Sequence, residues 1–339
     1  MPGISYTLSC FYRRRELVTR IGLCASVASL SGAFGGLLAT AFTTIPPWGP
    51  INTWRNIFFF EGVISIILGV IAFFVLPSSP ATASFLTAKE RELAVKRIAD
   101  DLKTQHIETL KKKYIKRAIW NPNAVLVAIA SLCSLMSMNS MALFVPSLLN
   151  SIGYSGINSQ LLSVPPYAWA AIVCVAASMV SDRTHRRGQW ILAVMPFSVV
   201  GFAILLVPAR VGVHYFALFL CLTGVFTASP MLLAWVVDNS AGHMTRAIVA
   251  GFTVGFGSTG GIIAAWTYLL ADAPGYTKGH AVNLGFSCLC IVAVGLAIYY
   301  LNHENKLKRA GKRDYRLAGK SESEIQDLGH EHPEFKFSL

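Results

Sequence analysis

Residues 160–208 read QLLSVPPYAWAAIVCVAASMVSDRTHRRGQWILAVMPFSVVGFAILLVP. Two apolar runs, 160–180 and 190–208, flank a short stretch that holds one Asp and three Arg. A helix needs about 20 predominantly apolar residues to cross the hydrocarbon core of a bilayer. Both runs approach that length and are apolar on every side, whereas a helix on the surface of a soluble protein keeps a polar face. This stretch therefore predicts two membrane-spanning helices joined by a short basic loop.

The same pattern recurs along the rest of the chain. The predicted spans number eight and cover 21–45, 54–77, 123–147, 160–180, 190–208, 214–237, 247–270 and 281–301. Only 14% of the residues are charged and 54% are hydrophobic, whereas soluble domains carry about 25% charged residues. The sequence predicts an all-α, polytopic membrane protein with about eight full transmembrane helices.

The basic residues are sorted by alternate connections between the spans. The formal net charge is +12, from 29 Lys and Arg against 17 Asp and Glu. All basic residues except Arg55, Arg210 and Lys278 fall in the stretches 10–20, 78–122, 181–189, 238–246 and the tail from 302. Cytoplasmic loops carry the excess of Lys and Arg in membrane proteins, so we expect the central loop and the C-terminus to be cytoplasmic. A nucleic-acid-binding protein has no reason for this alternation, and we expect no nucleic-acid partner.

The loop between the fourth and fifth predicted spans carries a recognisable motif. Its pattern, Ser178-x-x-x-Asp182-Arg183-x-x-Arg186-Arg187-Gly188, resembles the G-x-x-x-D-R-x-x-R-R loop in the C-terminal half of the major facilitator superfamily. Ser178 stands where Gly is usual. Longer stretches resemble the fungal anion:cation symporter family, which includes allantoate and nicotinate permeases. They are PGISYTLSCFYRRREL (2–17), WRNIFFFEG (54–62), LPSSPATASFLTAKER (76–91), PMLLAWVVDNSAGHMTRAI (230–248), ADAPGYTKGH (271–280) and HPEFKFSL (332–339).

The resemblance implies a twelve-helix major facilitator fold of which the first part is missing. In that family the segment PGISYTLSCFYRRREL ends the fourth span, so the chain is expected to lack the first three spans and most of the fourth. The implied organisation is a remnant of the N-terminal half at 1–77 and a central loop at 78–122. A C-terminal six-helix half at 123–301 and a cytoplasmic tail at 302–339 follow.

The resemblance also implies a function. We expect a secondary transporter that moves a small organic anion with protons by alternating access, in which two halves rock around a central site. It would act as a monomer, in the plasma membrane. An alternative stays open, namely a non-transporting fragment or receptor-like relic of such a transporter. The sequence contains no phosphate-binding loop, no H-E-x-x-H and no C-x-x-C pair, so we expect neither an enzyme nor a cofactor or metal site.

Two sets of charged residues are functional candidates. By resemblance, the gating loop residues Asp182, Arg183, Arg186 and Arg187 make contacts that hold one state of the transporter; the alternative is a basic topological loop with an incidental Asp. Glu61 lies about seven residues into its predicted span, where an ionisable group is costly and usually faces a cavity or a partner. Glu61 is therefore a candidate for proton coupling, and its alternative is a structural partner near the outer headgroups.

The third, fourth, sixth and seventh predicted spans are where we look for a substrate cavity, and polar and aromatic residues in the first three of them are candidates for substrate binding. By resemblance, these spans correspond to the cavity-lining seventh, eighth, tenth and eleventh facilitator helices. Hydroxyls, an amide and aromatic rings suit the carboxylate and carbon skeleton of a small organic anion. The candidates are Asn139, Ser140, Tyr167, Trp169, Thr223 and Thr227. For any one of these residues, hydrogen bonding between helices and core packing is the favoured alternative.

Overall fold

The computed structural model describes residues 34–47, 52–77, 80–83, 85–103, 112–154, 156–184, 186–241, 243–317 and 328–339, with the single positions 11, 27, 31 and 319. The chain divides into two compact units, Met1–Ile107 and Glu108–Leu339. The regular elements of the described residues are all helical. This confirms the predicted all-α class.

The described residues of unit 1 form an apolar helical pair and one amphipathic helix. Its helices are α1 (Phe34–Thr43), α2 (Thr53–Val75) and α3 (Ala88–Lys103). Phe42 and Phe60 stack with ring centroids 5.1 Å apart, and the buried Asn56 amide donates to the Ile45 carbonyl at 3.0 Å. These contacts join α2 to the end of α1 and to the segment that follows it.

A capping box starts α3. The Thr87 backbone N–H donates to a carboxylate oxygen of Glu90 at 2.9 Å, and the Thr87 hydroxyl donates to the same oxygen at 2.7 Å. The Glu90 N–H faces the Thr87 hydroxyl oxygen at 3.4 Å. Side chains here satisfy backbone donors that have no partner at the beginning of a helix, which fixes where the helix starts after the loop.

Unit 2 is a helical bundle. It comprises α4 (Lys112–Ile119), α5 (Pro122–Ile152), α6 (Ile157–Thr184), α7 (Arg187–Leu206), α8 (Val211–Asp238), α9 (His243–Ser258), α10 (Gly260–Ala264) and α11 (Thr277–Arg309). Over both units, seven helical segments among the described residues are long and apolar enough to cross a membrane. They correspond to the second to eighth predicted spans. Of the first predicted span, 21–45, the structure describes positions 27, 31 and 34–45, which include the shorter apolar helix α1.

Most of these helices begin a few residues before the predicted spans, and some of them also end beyond the predicted limit. The eighth span was predicted at 281–301, whereas α11 covers Thr277–Arg309, because the helix continues into polar turns that hydropathy does not count. The seventh span, predicted to reach residue 270, ends earlier, at Ala264. There the backbone changes to hydrogen bonds between residues three apart, such as the one from the Thr267 N–H to the Ala264 carbonyl at 3.2 Å. A tightened last turn of this kind is a common helix ending.

Helix α8 is the centre of the bundle and packs against α5, α6 and α7. Close approach of α7 and α8 depends on two glycines. A Cβ atom added to Gly201 would lie 2.8 Å from the Ala217 carbonyl oxygen, and one on Gly224 would lie 2.7 Å from the Cβ of Ser198. Small residues allow membrane helices to approach closely, so these positions set the spacing of the two helices.

Candidate functional site

The end of unit 2 at which α6 and α8 end and α7 begins carries an ion-pair cluster, here called the basic end. The Arg187 guanidinium pairs with Asp182 at 2.9 Å and with Asp238 at 2.7 Å. Its side chain is only 10% exposed, and each carboxylate is 33% exposed. One arginine therefore connects the last turns of α6 and α8 to the first turn of α7.

The local fold brings Arg187 to this position. Gly188, the next residue, lies against α8, and a Cβ atom there would come within 2.7 Å of the Trp235 ring. A larger residue at position 188 would push the start of α7 away from α8. The glycine of the motif thus allows the close approach that places the Arg187 guanidinium between two carboxylates.

The other members of the predicted gating loop are placed differently. Arg183 and Arg186 are exposed and make no ion pair with any described residue. Asp238 was not among the sequence candidates, because a single carboxylate at the end of an apolar span resembles an ordinary solvated helix end. Asp238 could have been identified from its position, because it lies at the end of a predicted span on the same side of the membrane as the motif loop.

Glu61 lies in the middle of α2 in unit 1, half-buried. It makes no hydrogen bond or ion pair with the residues that the structure describes. Arg55, on the same helix, lies over the Trp54 ring at 5.2 Å.

Ser140, one of the predicted substrate residues, belongs to a buried polar network. Its hydroxyl lies 2.7 Å from the Thr267 hydroxyl and accepts from the Asn283 amide at 3.0 Å. The network continues to Tyr268, whose hydroxyl lies 3.0 Å from Nδ1 of His280 and 3.4 Å from the Asn283 amide nitrogen. Sequence reasoning missed this network, although an asparagine three residues into the predicted span 281–301 was a signal for it.

Two more of the predicted substrate residues use their hydroxyl groups inside the bundle. The buried Tyr167 hydroxyl donates to the Met141 carbonyl at 3.1 Å, and its ring meets Phe226 edge to face at 5.6 Å. The Thr223 hydroxyl donates to the Phe219 carbonyl of its own helix at 2.7 Å. In this conformation both hydroxyl groups are hydrogen-bonded within the protein.

Three predicted substrate residues keep unused polar atoms. The Thr227 hydroxyl is fully buried and has no hydrogen-bond partner among the described residues. Trp169 is 50% exposed, and its indole N–H makes no hydrogen bond within the described chain. Asn139 is half-buried and donates to the Leu135 carbonyl at 2.8 Å, which leaves its side-chain oxygen available. The six candidates therefore form two groups. Ser140, Tyr167 and Thr223 use their hydroxyl groups in hydrogen bonds within the protein, whereas Thr227, Trp169 and Asn139 each keep a polar atom without a hydrogen bond to the described residues.

Sequence comparison assigns the family. The model of the Major Facilitator Superfamily matches residues 1–265. The chain belongs to the major facilitator superfamily. The motif loop and the Arg187 bridge therefore belong to a facilitator bundle. The predicted polytopic membrane architecture is confirmed.

Fungal facilitators are among the relatives. The chain is 28% identical over 342 residues to the high-affinity nicotinic acid transporter of Saccharomyces cerevisiae. This alignment covers 99% of this chain and 62% of that protein. The chain is 30% identical over 350 residues to the major facilitator-type transporter hxnP of Emericella nidulans, covering 99% and 68%. With the uncharacterized transporter C1039.04 of Schizosaccharomyces pombe it shares 30% identity over 309 residues, covering 90% and 61%. The chain thus spans about three fifths to two thirds of the length of these relatives.

Among solved structures, the fucose:proton symporter of E. coli gives a TM-score of 0.47 at 11% identity, covering 86% of this chain and 89% of that one. The family assignment rests on the sequence matches.

Proposed function

We propose that the protein carries a small organic anion across a membrane by alternating access, coupled to protons. The observation that carries the proposal is the Arg187 bridge to Asp182 and Asp238 at the basic end. A carrier needs contacts that hold one conformer and can be exchanged for others when the bundle changes state. Ion pairs between the ends of three helices meet that need, and the family membership and the nicotinic acid transporter relative support transport.

The proposed substrate is a small carboxylate, vitamin or ureide anion. Thr227, Trp169 and Asn139 are the first candidates for contact, because each has an unused polar atom. Ser140 and Tyr167 are proposed as supporting members, because their hydroxyl groups bond to other elements of the bundle. Thr223 is proposed as a more distant member, because its hydroxyl is bonded within its own helix. We further propose that the protein acts as a monomer in the plasma membrane, with the central loop and the tail in the cytoplasm, as the distribution of Lys and Arg favours.

Replacing the free hydroxyl should weaken substrate binding. Thr227→Val removes the hydroxyl donor while keeping the size of the side chain. A hydrogen bond to a charged group contributes about 1.5–3 kcal/mol. We expect the KM for the transported anion to rise about tenfold or more. Thr223→Val is the matched control on the same helix, because that hydroxyl is already bonded to Phe219; we expect it to change KM less than threefold. Equal effects of the two substitutions would remove Thr227 from the site.

Glu61→Gln should separate proton coupling from substrate movement. A glutamine keeps the shape of the side chain but cannot carry a proton on and off. We expect accumulation driven by an imposed pH gradient to be lost, while exchange of labelled for unlabelled anion continues. Glu92→Gln, an exposed position on α3 of the same unit, serves as the control. Gradient-driven accumulation that survives Glu61→Gln would exclude this residue as the coupling group.

The alternative function, a receptor-like protein that binds an anion without moving it, differs in one observable. Binding would then persist while neither uptake nor exchange occurred in vesicles. Because binding and exchange are measured separately, the two functions are distinguished with the same purified protein.

A further inference from the structure

Residues 328–339, here called the tail latch, fold back on the basic end of unit 2. Leu328, His330 and Phe337 are buried, with exposures of 3%, 5% and 8%. Phe337 is part of the same hydrophobic core as Trp235 and Leu301. A tail that served only as a charged topological label would have no reason to place an aromatic side chain in this core.

Two asparagines hold the backbone of the tail latch. The Asn239 amide donates to the Ser338 carbonyl at 3.0 Å, and its oxygen accepts from the Ser338 N–H at 2.8 Å. Asn305 makes the same pair of bonds with Phe337, both at 2.9 Å. The Trp235 indole also donates to the Ser338 carbonyl at 3.0 Å. Both asparagines are buried, and the tail supplies hydrogen-bond partners to both side-chain oxygens and to the Asn305 amide. The Asn239 amide also donates to the Trp235 carbonyl of its own helix at 3.1 Å.

Lys308 holds a second part of the tail latch. Its ammonium donates to the carbonyls of His330, His332 and Phe335 at 2.7, 3.0 and 3.0 Å. It also lies 4.3 Å from the centre of the Phe337 ring, a distance typical of a cation–π contact. An ammonium has three donors, and here all three are used on the tail.

The start of the tail latch is anchored at the N-terminus of α5. The Asn121 amide lies 3.1 Å from Nε2 of His330. Burial, together with the nearby charges of Arg117, Lys308 and Arg316, lowers the pKa of His330 to about 4. The imidazole is therefore neutral at neutral pH, and its Nε2 accepts the hydrogen bond from Asn121.

The anchoring residues lie beside the ion-pair cluster. Asn239 directly follows Asp238, which pairs with Arg187, and Trp235, one turn earlier, lies against Gly188. The tail latch and the Arg187 bridge therefore hold the same last turn of α8. Helices α8 and α11 both pack on α5 and α7, and the latch adds a direct connection between their ends.

The last two turns of α8 follow a natural bending point. Pro230 lies inside the helix, and proline removes a backbone donor and weakens the helix at that place. The segment 231–238 beyond it carries Trp235 and Asp238. A change of direction at Pro230 would move these residues away from their contacts at the basic end.

We propose that the tail latch is an intramolecular regulator that holds the segment of α8 after Pro230 closed at the basic end. Releasing residues 328–339 from Asn239, Asn305 and Lys308 would free this segment and favour opening. Only the expected change in uptake rate depends on the proposed transport function. The docked tail and its effect on the basic end can be measured without substrate.

Lys308→Gln tests the latch, with Lys306→Gln as its matched control. Lys306 is exposed on the same helix and makes no contact with the tail. Hydrogen exchange of the amides of residues 337–338 reports docking. Alkylation of a Ser181→Cys variant, at a buried position beside Asp182, reports opening of the basic end. Asn305→Ala, which removes only the Phe337 clamp, provides a second variant should Lys308→Gln fail to fold.

We expect Lys308→Gln and Asn305→Ala to speed amide exchange at least tenfold and alkylation at least fivefold. We also expect uptake to become at least twofold faster, and Lys306→Gln to leave all three rates unchanged. Unprotected amides at 337–338 in the unmodified chain would overturn the proposal. So would a released tail with unchanged alkylation. If no form transports any anion while alkylation still follows tail release, the proposed transport fails and the latch stands.

Discussion

Arg187→Gln is expected to reduce uptake of the transported anion at least tenfold, the largest loss among single substitutions at the basic end. It removes the cation that lies within 2.9 Å of Asp182 and 2.7 Å of Asp238. Both partly buried carboxylates then lose their ion pair with Arg187. Removing one member of a buried charge pair costs about 3–5 kcal/mol, and we expect about 2–3 kcal/mol here, because each carboxylate is a third exposed. Initial uptake rates in vesicles, normalised to inserted protein, measure the effect.

Arg186→Gln is the control for this loss. It changes the same residue type one position earlier, where the side chain is exposed and forms no ion pair with the described residues. We expect its uptake rate to stay within a factor of two. Arg187→Lys should be intermediate, because an ammonium keeps the charge but lacks the planar fork that reaches two carboxylates at once. Equal rates for Arg186→Gln and Arg187→Gln would contradict a gating role for the Arg187 bridge.

Gly224→Val is expected to cause the largest loss of stability. A Cβ atom at this position would lie 2.7 Å from the Ser198 Cβ and 2.8 Å from the Ser198 backbone nitrogen. Backbone atoms cannot move aside as a flexible side chain can, so α7 and α8 must separate. Overpacking of this kind costs about 1–3 kcal/mol, occasionally more, and we expect a value at the upper end. The thermal midpoint and the monodisperse fraction in detergent measure it.

Gly285→Val is the matched control for Gly224→Val. It makes the same substitution within α11, where the added Cβ has no neighbour within 4 Å beyond the adjacent residues and the backbone of its own helix. We expect its midpoint to stay close to that of the unmodified protein. A similar loss in both variants would show that valine in a long helix, rather than the contact with Ser198, is responsible.

Hydropathy alone was enough to predict the membrane-spanning helices, because an apolar surface of that length has no stable place in water. It did not predict where the helices end. Helix α11 continues to Arg309 through polar turns, whereas the helix predicted to reach residue 270 tightens and stops at Ala264. Helix ends depend on local hydrogen bonds and tertiary contacts, which a hydropathy pattern does not contain.

The site was accessible from the sequence only in part. The motif spacing singled out Arg187, but its second partner, Asp238, lies 51 positions further along the chain, and only the fold joins the two. Ser140 was identified as polar at mid-span, yet its partners Thr267 and Asn283 come from other helices. The tail latch could not be predicted, because Asn239 and Asn305 bind backbone groups of the tail, and backbone groups carry no sequence signal.

Uptake in proteoliposomes under an imposed pH gradient tests the central claim most directly. Radiolabelled nicotinate, allantoate and small monocarboxylates would be offered to the chain as it stands. The same anions would be offered to the chain joined to the N-terminal helices of the yeast relative. We predict saturable, gradient-driven accumulation of at least one anion that falls at least tenfold with Arg187→Gln. If neither form accumulates or exchanges any of these anions, and neither responds to the gradient, the protein is not the proposed carrier.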